Sequence, residues 1–286
     1  MKKISSLLFA GMTVLCIDAN AQEFKEHISK EFALSKDASS TVLSIYNIDG
    51  PIKVEGYSGS KITMEIDETI TADDNQTVEI GKKEFKLDFL QTQDTVTAYI
   101  ASPNDSRPRH HWHHYDSDRE IDYRYSATFI VKVPYGINLD LSTVNNGDIA
   151  VNNVTGTLHV NNVNGAIAIT GAKGATHAHT VNGAVGVSYS AVPKGASSYY
   201  TINGEIKVAY PADLSADMQF KSMNGEFFTD FPSVEILPAK VTKNQETKNG
   251  ATVYKLNKIT EVRIGSGGNS LKFETLNGNI YIKKQA

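Results

Sequence analysis

The sequence predicts an all-β chain of stacked short strands with Asn-Gly turns, a β-solenoid-like fold. Three observations predict it. Gly147, Gly156, Gly165, Gly174 and Gly183 fall nine residues apart. Around most of them apolar residues stand two before, two after and four after, as Val163, Ile167 and Ile169 do around Gly165, and Gly50, Gly204 and Gly278 obey the same frame. Asparagine precedes Gly147, Gly165, Gly183, Gly204, Gly225 and Gly278, whereas Thr155 and Lys173 precede Gly156 and Gly174. Apolar residues at spacing two, punctuated by glycine, are short strands joined by tight turns. Because alternate units differ, the full repeat is about 18 residues, stretching to 21 between Gly183, Gly204 and Gly225. Asn-Gly also favours type I′ hairpins, so an antiparallel β-sandwich or meander is the alternative. A meander gives like residues no reason to recur on every second strand. A solenoid does, because equivalent positions stack about 4.8 Å apart. Asn164, Asn182, Asn203 and Asn224 are then expected to form a ladder of side-chain amides.

From the N-terminus, residues 1–21 read as a secretory signal peptide. Lys2 and Lys3 give the positive start, Leu7, Leu8, Phe9, Val14 and Leu15 the apolar run, and Ala19-Asn20-Ala21 the small residues before cleavage. The run is too short to span roughly 30 Å of hydrocarbon, and Asp18 interrupts it. Cys16, the single cysteine, lies inside this segment, and Leu15 before it is not the small residue of a lipoprotein signal. The mature chain is therefore expected to be thiol-free and exported, with no membrane span, in the periplasm or at the cell surface.

Residues 22–40 read as a lead-in and 41–286 as a single β-strand-repeat domain. Before the repeat, strands are expected at 42–47, 61–66, 85–90, 96–101, 126–133 and 137–141, several with period-two alternation such as Phe129, Val131 and Val133. A helix of one or two turns fits 73–81, capped by Asp73 or Asp74. A histidine-rich loop at 102–124 and an insertion at 229–262 interrupt the pattern. The insertion carries Pro232, Pro238 and a polar tip at 243–250. Residues 189–200 break the repeat as well.

Composition agrees with a folded chain, at 40% hydrophobic and 21% charged residues. A formal net charge of −4 leaves no basic stripe for nucleic acid. One cysteine excludes a disulfide framework.

The segment Tyr46-Asn47-Ile48-Asp49-Gly50-Pro51-Ile52-Lys53-Val54-Glu55-Gly56 resembles the opening of the bacterial putative-adhesin domain, a β-strand-repeat family of unknown function. Val131-Lys132-Val133-Pro134 leading into Asn146-Gly147-Asp148-Ile149 resembles its central signature. Ile264-Gly265-Ser266-Gly267-Gly268 running into Thr275-Leu276-Asn277-Gly278-Asn279-Ile280 resembles its closing one. The resemblance covers residues 41–284. It implies an exported or envelope-associated all-β domain and carries no catalytic residue set. The histidine-rich loop and the 229–262 insertion depart from the family pattern.

Histidines form two clusters. His110, His111, His113 and His114 share one polar loop, and neutral imidazole suits zinc, copper or nickel. The bland reading is a solvated loop that titrates near pH 6.5. His159 and His177 each stand three residues after a glycine and 18 apart, so stacked coils would bring their Cβ atoms to about 4.8 Å. With His179 or water they could ligate one metal ion, against a plain solvent-facing pair. Glu205 and Glu226 each follow a glycine on successive units, and paired acids suit a glycosidase. The bland reading there is two solvated glutamates.

Outward positions Ala166, Ala168, Ala184 and Gly186 are small where an exposed sheet face is normally polar. A cover is expected over them, the chain's own strands being favoured over a partner. No nucleophile elbow, phosphate loop or calcium-binding nonapeptide occurs. The sequence thus predicts an exported, non-catalytic envelope protein without a cofactor, an adhesin or scaffolding module whose partner is an envelope or surface protein or glycan. The alternatives are a metal-binding envelope protein using the histidine clusters, with a divalent transition metal, and a polysaccharide-active enzyme on a β-solenoid.

Overall fold

A computed structural model of the chain describes residues 22–108, 121–232, 234–238, 242–248, 251–257 and 259–285. The expected signal peptide at 1–21 lies outside them, as do His110, His111, His113 and His114. The described chain is nearly all β, in two large mixed sheets and one separate hairpin.

Alternation of apolar and polar residues explains why these strands lie between water and a shared core. Leu158 and Val160 are buried in the second sheet, and Ile167, Ile169, Val185, Val187, Ile206 and Val208 in the first; all belong to one core cluster between the sheets. Each such side chain contributes about 1.5–3 kcal/mol on burial. In the centre, each rung has one strand in the second sheet, a turn at the Asn-Gly pair, and one strand in the first sheet. Leu158–Asn162 leads to Ile167–Ala172, Thr176–His179 to Val185–Tyr189, and Ser197–Asn203 to Ile206–Tyr210.

Pairing between these rungs is parallel, with Leu158 opposite Thr176, Ile167 opposite Val185, and Val185 opposite Ile206. The Asn-Gly turns therefore join opposite sheets rather than hairpin neighbours. Residues 189–200, expected to interrupt the stack, continue it through Ser197–Asn203.

The recurring glycine is required by close approach. A Cβ on Gly165, Gly183 or Gly204 would come within 3.0 Å of the carbonyl oxygen of the preceding rung's glycine, respectively Gly147, Gly165 and Gly183. The same carbonyl is held by a polar side chain three residues before the approaching glycine. Asn162 Nδ2 donates to Gly147 O at 2.9 Å, Thr180 Oγ1 to Gly165 O at 2.9 Å, and Thr201 Oγ1 to Gly183 O at 2.8 Å. Thr275 and Ser222 repeat the contact on Gly204 O and Gly278 O. These residues form a polar column beneath the turns, nearly all of it buried.

Rung order departs from chain order at the C-terminal end. Asn269–Asn277 lies between Ser197–Asn203 and Ala216–Asn224, and Ile280–Lys284 lies between Ile206–Tyr210 and Phe227–Thr229. The last rung in sequence is thus wedged between two earlier ones. Thr260–Ile264 pairs antiparallel with the far side of Ala216–Asn224, and Val234–Leu237 closes that sheet. The expected polar tip at 243–250 instead contributes a strand, Thr242–Lys248, paired with Ala251–Asn257.

At the N-terminal end both sheets turn antiparallel. Gln22–Ala33, expected as a lead-in, is a twelve-residue edge strand on Lys61–Ala72. The helix runs Asn75–Glu84, longer than expected, with Asp74 capping it through a 2.8 Å bond from the Thr77 amide. It packs on both of those strands. Among the described residues no helix is long and apolar enough to cross a membrane.

Candidate functional site

The parallel register aligns side chains from successive rungs into columns, and three columns carry candidate chemistry. On the outer face of the second sheet His159 pairs with His177, as the 18-residue spacing requires, and their rings stack with centroids 4.7 Å apart and planes 15° apart. His177 Nδ1 and His179 Nε2 each lie 2.9 Å from the hydroxyl of Ser198 on the next rung. Burial, then repulsion from neighbouring imidazoles, holds His177 and His179 below the ordinary histidine range. Among the described residues no group of three or more His, Cys, Asp or Glu side chains is arranged to hold a metal ion. His27, outside both clusters, lies between Asp67 at 2.7 Å and Glu65 at 2.9 Å on the outer face of the first sheet.

The glutamate pair is separated. Asn279 of the wedged rung stands between Glu205 and Glu226: the Ile206 amide donates to Asn279 O, and the Ile280 amide to Glu226 O. Asn279 Oδ1 also accepts from the Glu226 amide at 3.0 Å. Glu205 and Glu226 are two rungs apart, not neighbours as the 21-residue spacing implied. Sequence order misled because the intervening rung comes from the far end of the chain.

The third column runs along the outer face of the first sheet. Register sets Lys53 opposite Ala150, Ala150 opposite Ala168, Ala168 opposite Gly186, and Gly186 opposite Lys207, with Tyr281 and Phe228 following. Tyr281 and Phe228 stack at 5.1 Å. Ala168 is exposed, so no described element covers it, contrary to the expected internal cover. A shallow depression of about 600 Å³ opens here, floored by Ala150, Ala166 and Ala168 and edged by Lys53, Asp148 and Asn164.

Comparison with known proteins returned no matching family model and no matching curated protein. Two solved structures resemble the chain at low similarity. A putative cell adhesion protein from Clostridium sporogenes ATCC 15579 is 11% identical, with a TM-score of 0.41 over 93% of this chain and 100% of that one. A putative adhesin from Bacteroides fragilis NCTC 9343 is 11% identical, with a TM-score of 0.39 over 91% of this chain and 97% of that one.

One residue escaped sequence reasoning altogether. Glu68 occupies an inward position on Lys61–Ala72, where Ile62, Met64, Ile66 and Ile70 are all buried. An acid in an otherwise apolar alternation was the available clue.

Proposed function

We propose that the chain is a non-catalytic binding module acting outside the cytoplasm, at the cell envelope or surface, and that it binds through the outer face of its first sheet. The observation that carries this is the exposed Ala168 in a column with Ala150 and Gly186, between Lys53 and Lys207. Small residues in a strand let another backbone or a sugar ring approach closely. Flanking lysines give that strip polar edges, as expected of a recognition face. We read the parallel rungs as a solenoid-like scaffold, whose stiffness keeps such a strip flat. The partner is an envelope or surface protein or glycan.

A photo-crosslinker placed at Ala168 tests this in intact cells of the source organism, with exposed Lys272 on the other sheet as the control site. A discrete adduct from position 168 and none from position 272 is expected. Equal labelling from both, or none from either, overturns the reading. Protease shaving of the same cells then separates a surface location, giving digestion, from a periplasmic one, giving protection.

A second reading, metal binding by the His159 and His177 pair with water completing the shell, is favoured by the stacked imidazoles alone. Calorimetric titration of untagged protein with zinc, copper and nickel tests it. Absence of uptake disposes of it.

A further inference from the structure

Near the helix, a cavity of about 550 Å³ opens beside the inner face of Lys61–Ala72. Its walls are Phe24, Ile28, Phe85 and Leu87. Into it opens the carboxyl of Glu68, a residue only 7% exposed. Glu26 of the edge strand lies directly opposite Glu68 in the antiparallel ladder, so two carboxylates share this space. Among the described residues, no hydrogen bond or ion pair holds the Glu68 carboxyl.

The other charged groups around the cavity are engaged or peripheral. Lys82, on the helix, pairs with Glu79 at 2.7 Å and lies 4.6 Å from the centre of the Phe24 ring. Asp88 accepts from the Tyr99 hydroxyl at 3.1 Å. Lys86 is exposed at the rim.

We propose that this cavity binds a small amphipathic amine, its ammonium group between Glu68 and Glu26 and its hydrocarbon body against Phe24, Ile28, Phe85 and Leu87. A half-buried carboxyl that only the water of the cavity can satisfy is costly, and like charges directly across a ladder repel. A cation between them relieves both penalties at once. Burial, followed by repulsion from Glu26, pushes Glu68 up to about 7, which is the signature of a carboxyl lacking its counter-charge. The cavity volume lies in the range of small-ligand sites. An anion would meet two carboxylates, and a neutral alcohol would gain only the apolar contact.

The test uses protein carrying ¹³C-labelled glutamate, titrated by NMR with hexylammonium, hexan-1-ol and hexanoate. Hexylammonium is expected to shift the Glu68 carboxyl signal saturably, lower its midpoint by about one pH unit, and bind about tenfold more tightly than either comparator. Its affinity rises as pH climbs through 7. Glu68→Gln, which removes a buried charge, is expected to weaken hexylammonium about tenfold and leave hexan-1-ol unchanged. Equal binding of the three probes overturns the proposal, as does an unresponsive Glu68 signal in the unsubstituted protein. That last measurement decides the matter whether or not the Gln variant folds.

Discussion

Asn182 Nδ2 donates to Oδ1 of Asn164 at 2.8 Å, and Asn182 Oδ1 accepts from Asn203 at 2.8 Å, so one amide is both donor and acceptor in a continuous chain. The chain begins at Asn145, and Asn277 enters it between Asn203 and Asn224. It borders a second column, the buried hydroxyls on the glycine carbonyls, and the two differ in their access to water. Asn182 is exposed, so water replaces lost bonds and Asn182→Ala costs about 1 kcal/mol. Thr180 is 1% exposed, and Thr180→Val, which strips the half-buried Gly165 carbonyl of its donor, costs about 1–3 kcal/mol. Denaturant unfolding of the two variants checks the order, and an equal cost would contradict it.

Glycine substitutions should separate close approach from mere occurrence in a strand. Gly183→Ala places a Cβ within 3.0 Å of the Gly165 carbonyl, a backbone atom that cannot swing aside. A loss of about 3 kcal/mol or more is expected. At Gly186 the nearest atom to an added Cβ is Ile167 O at 3.9 Å, and alanine there should be neutral or stabilise by about 0.4–1 kcal/mol. Thermal unfolding of the pair is the measurement.

Three phenols meet inside the core. Tyr199, 1% exposed, bridges Tyr189 at 2.7 Å and Tyr210 at 3.0 Å through its hydroxyl, while its ring stacks on Phe273 at 4.9 Å. Tyr199→Phe keeps the stacking and removes the bridge, for an expected loss of about 1–3 kcal/mol. Tyr210→Phe removes one bond of the two and should cost less. Denaturant midpoints at constant slope would show both.

Acid should weaken the fold through the histidine column. His177 and His179 titrate below 6.5 when folded, so the unfolded chain takes up protons first. Their contribution is full above pH 6.5 and is lost as pH falls through 6.5 toward the depressed folded values. His27 slopes the other way, because its hydrogen bonds to Asp67 and Glu65 raise it. The comparison is therefore between the parent and a His177→Gln, His179→Gln double variant. Between pH 7.5 and 5 the double variant should lose less stability than the parent.

Glu68 has the opposite dependence. With a folded value near 7 against an ordinary 4.5, its carboxyl favours folding most below pH 4.5, and that advantage disappears as pH rises toward 7. Glu68→Gln should therefore stabilise the protein at pH 8, by at most about 3 kcal/mol, and make little difference at pH 4. A variant no more stable than the parent at pH 8 would refute this.

The repeat was legible because it is local. Apolar residues two before, two after and four after most of these glycines, and histidines 18 apart, all report directly on which side chains share a column. The rung order was not legible, since Gly204 and Gly278 carry the same frame and Gly225 most of it, with Thr229 the exception, and any of their rungs could stack on any other by that criterion. What distinguishes them is long-range: Thr260–Ile264 occupies one flank of Ala216–Asn224, leaving the other for Asn269–Asn277. The exposed Ala168 strip was visible as a pattern, but whether the chain covers it depends on where Gln22–Ala33 and Lys61–Ala72 go. They extend the sheet sideways instead of lying across it.

The wedged C-terminal rung has a consequence for biogenesis. While the chain is being made, Ala216–Asn224 emerges before the segment that will separate it from Ser197–Asn203, and nothing in its local pattern prevents the two from pairing directly. Completing the fold then means either holding that pairing off or undoing it once residues 269–284 arrive. A polypeptide kept extended until synthesis ends would meet no such conflict.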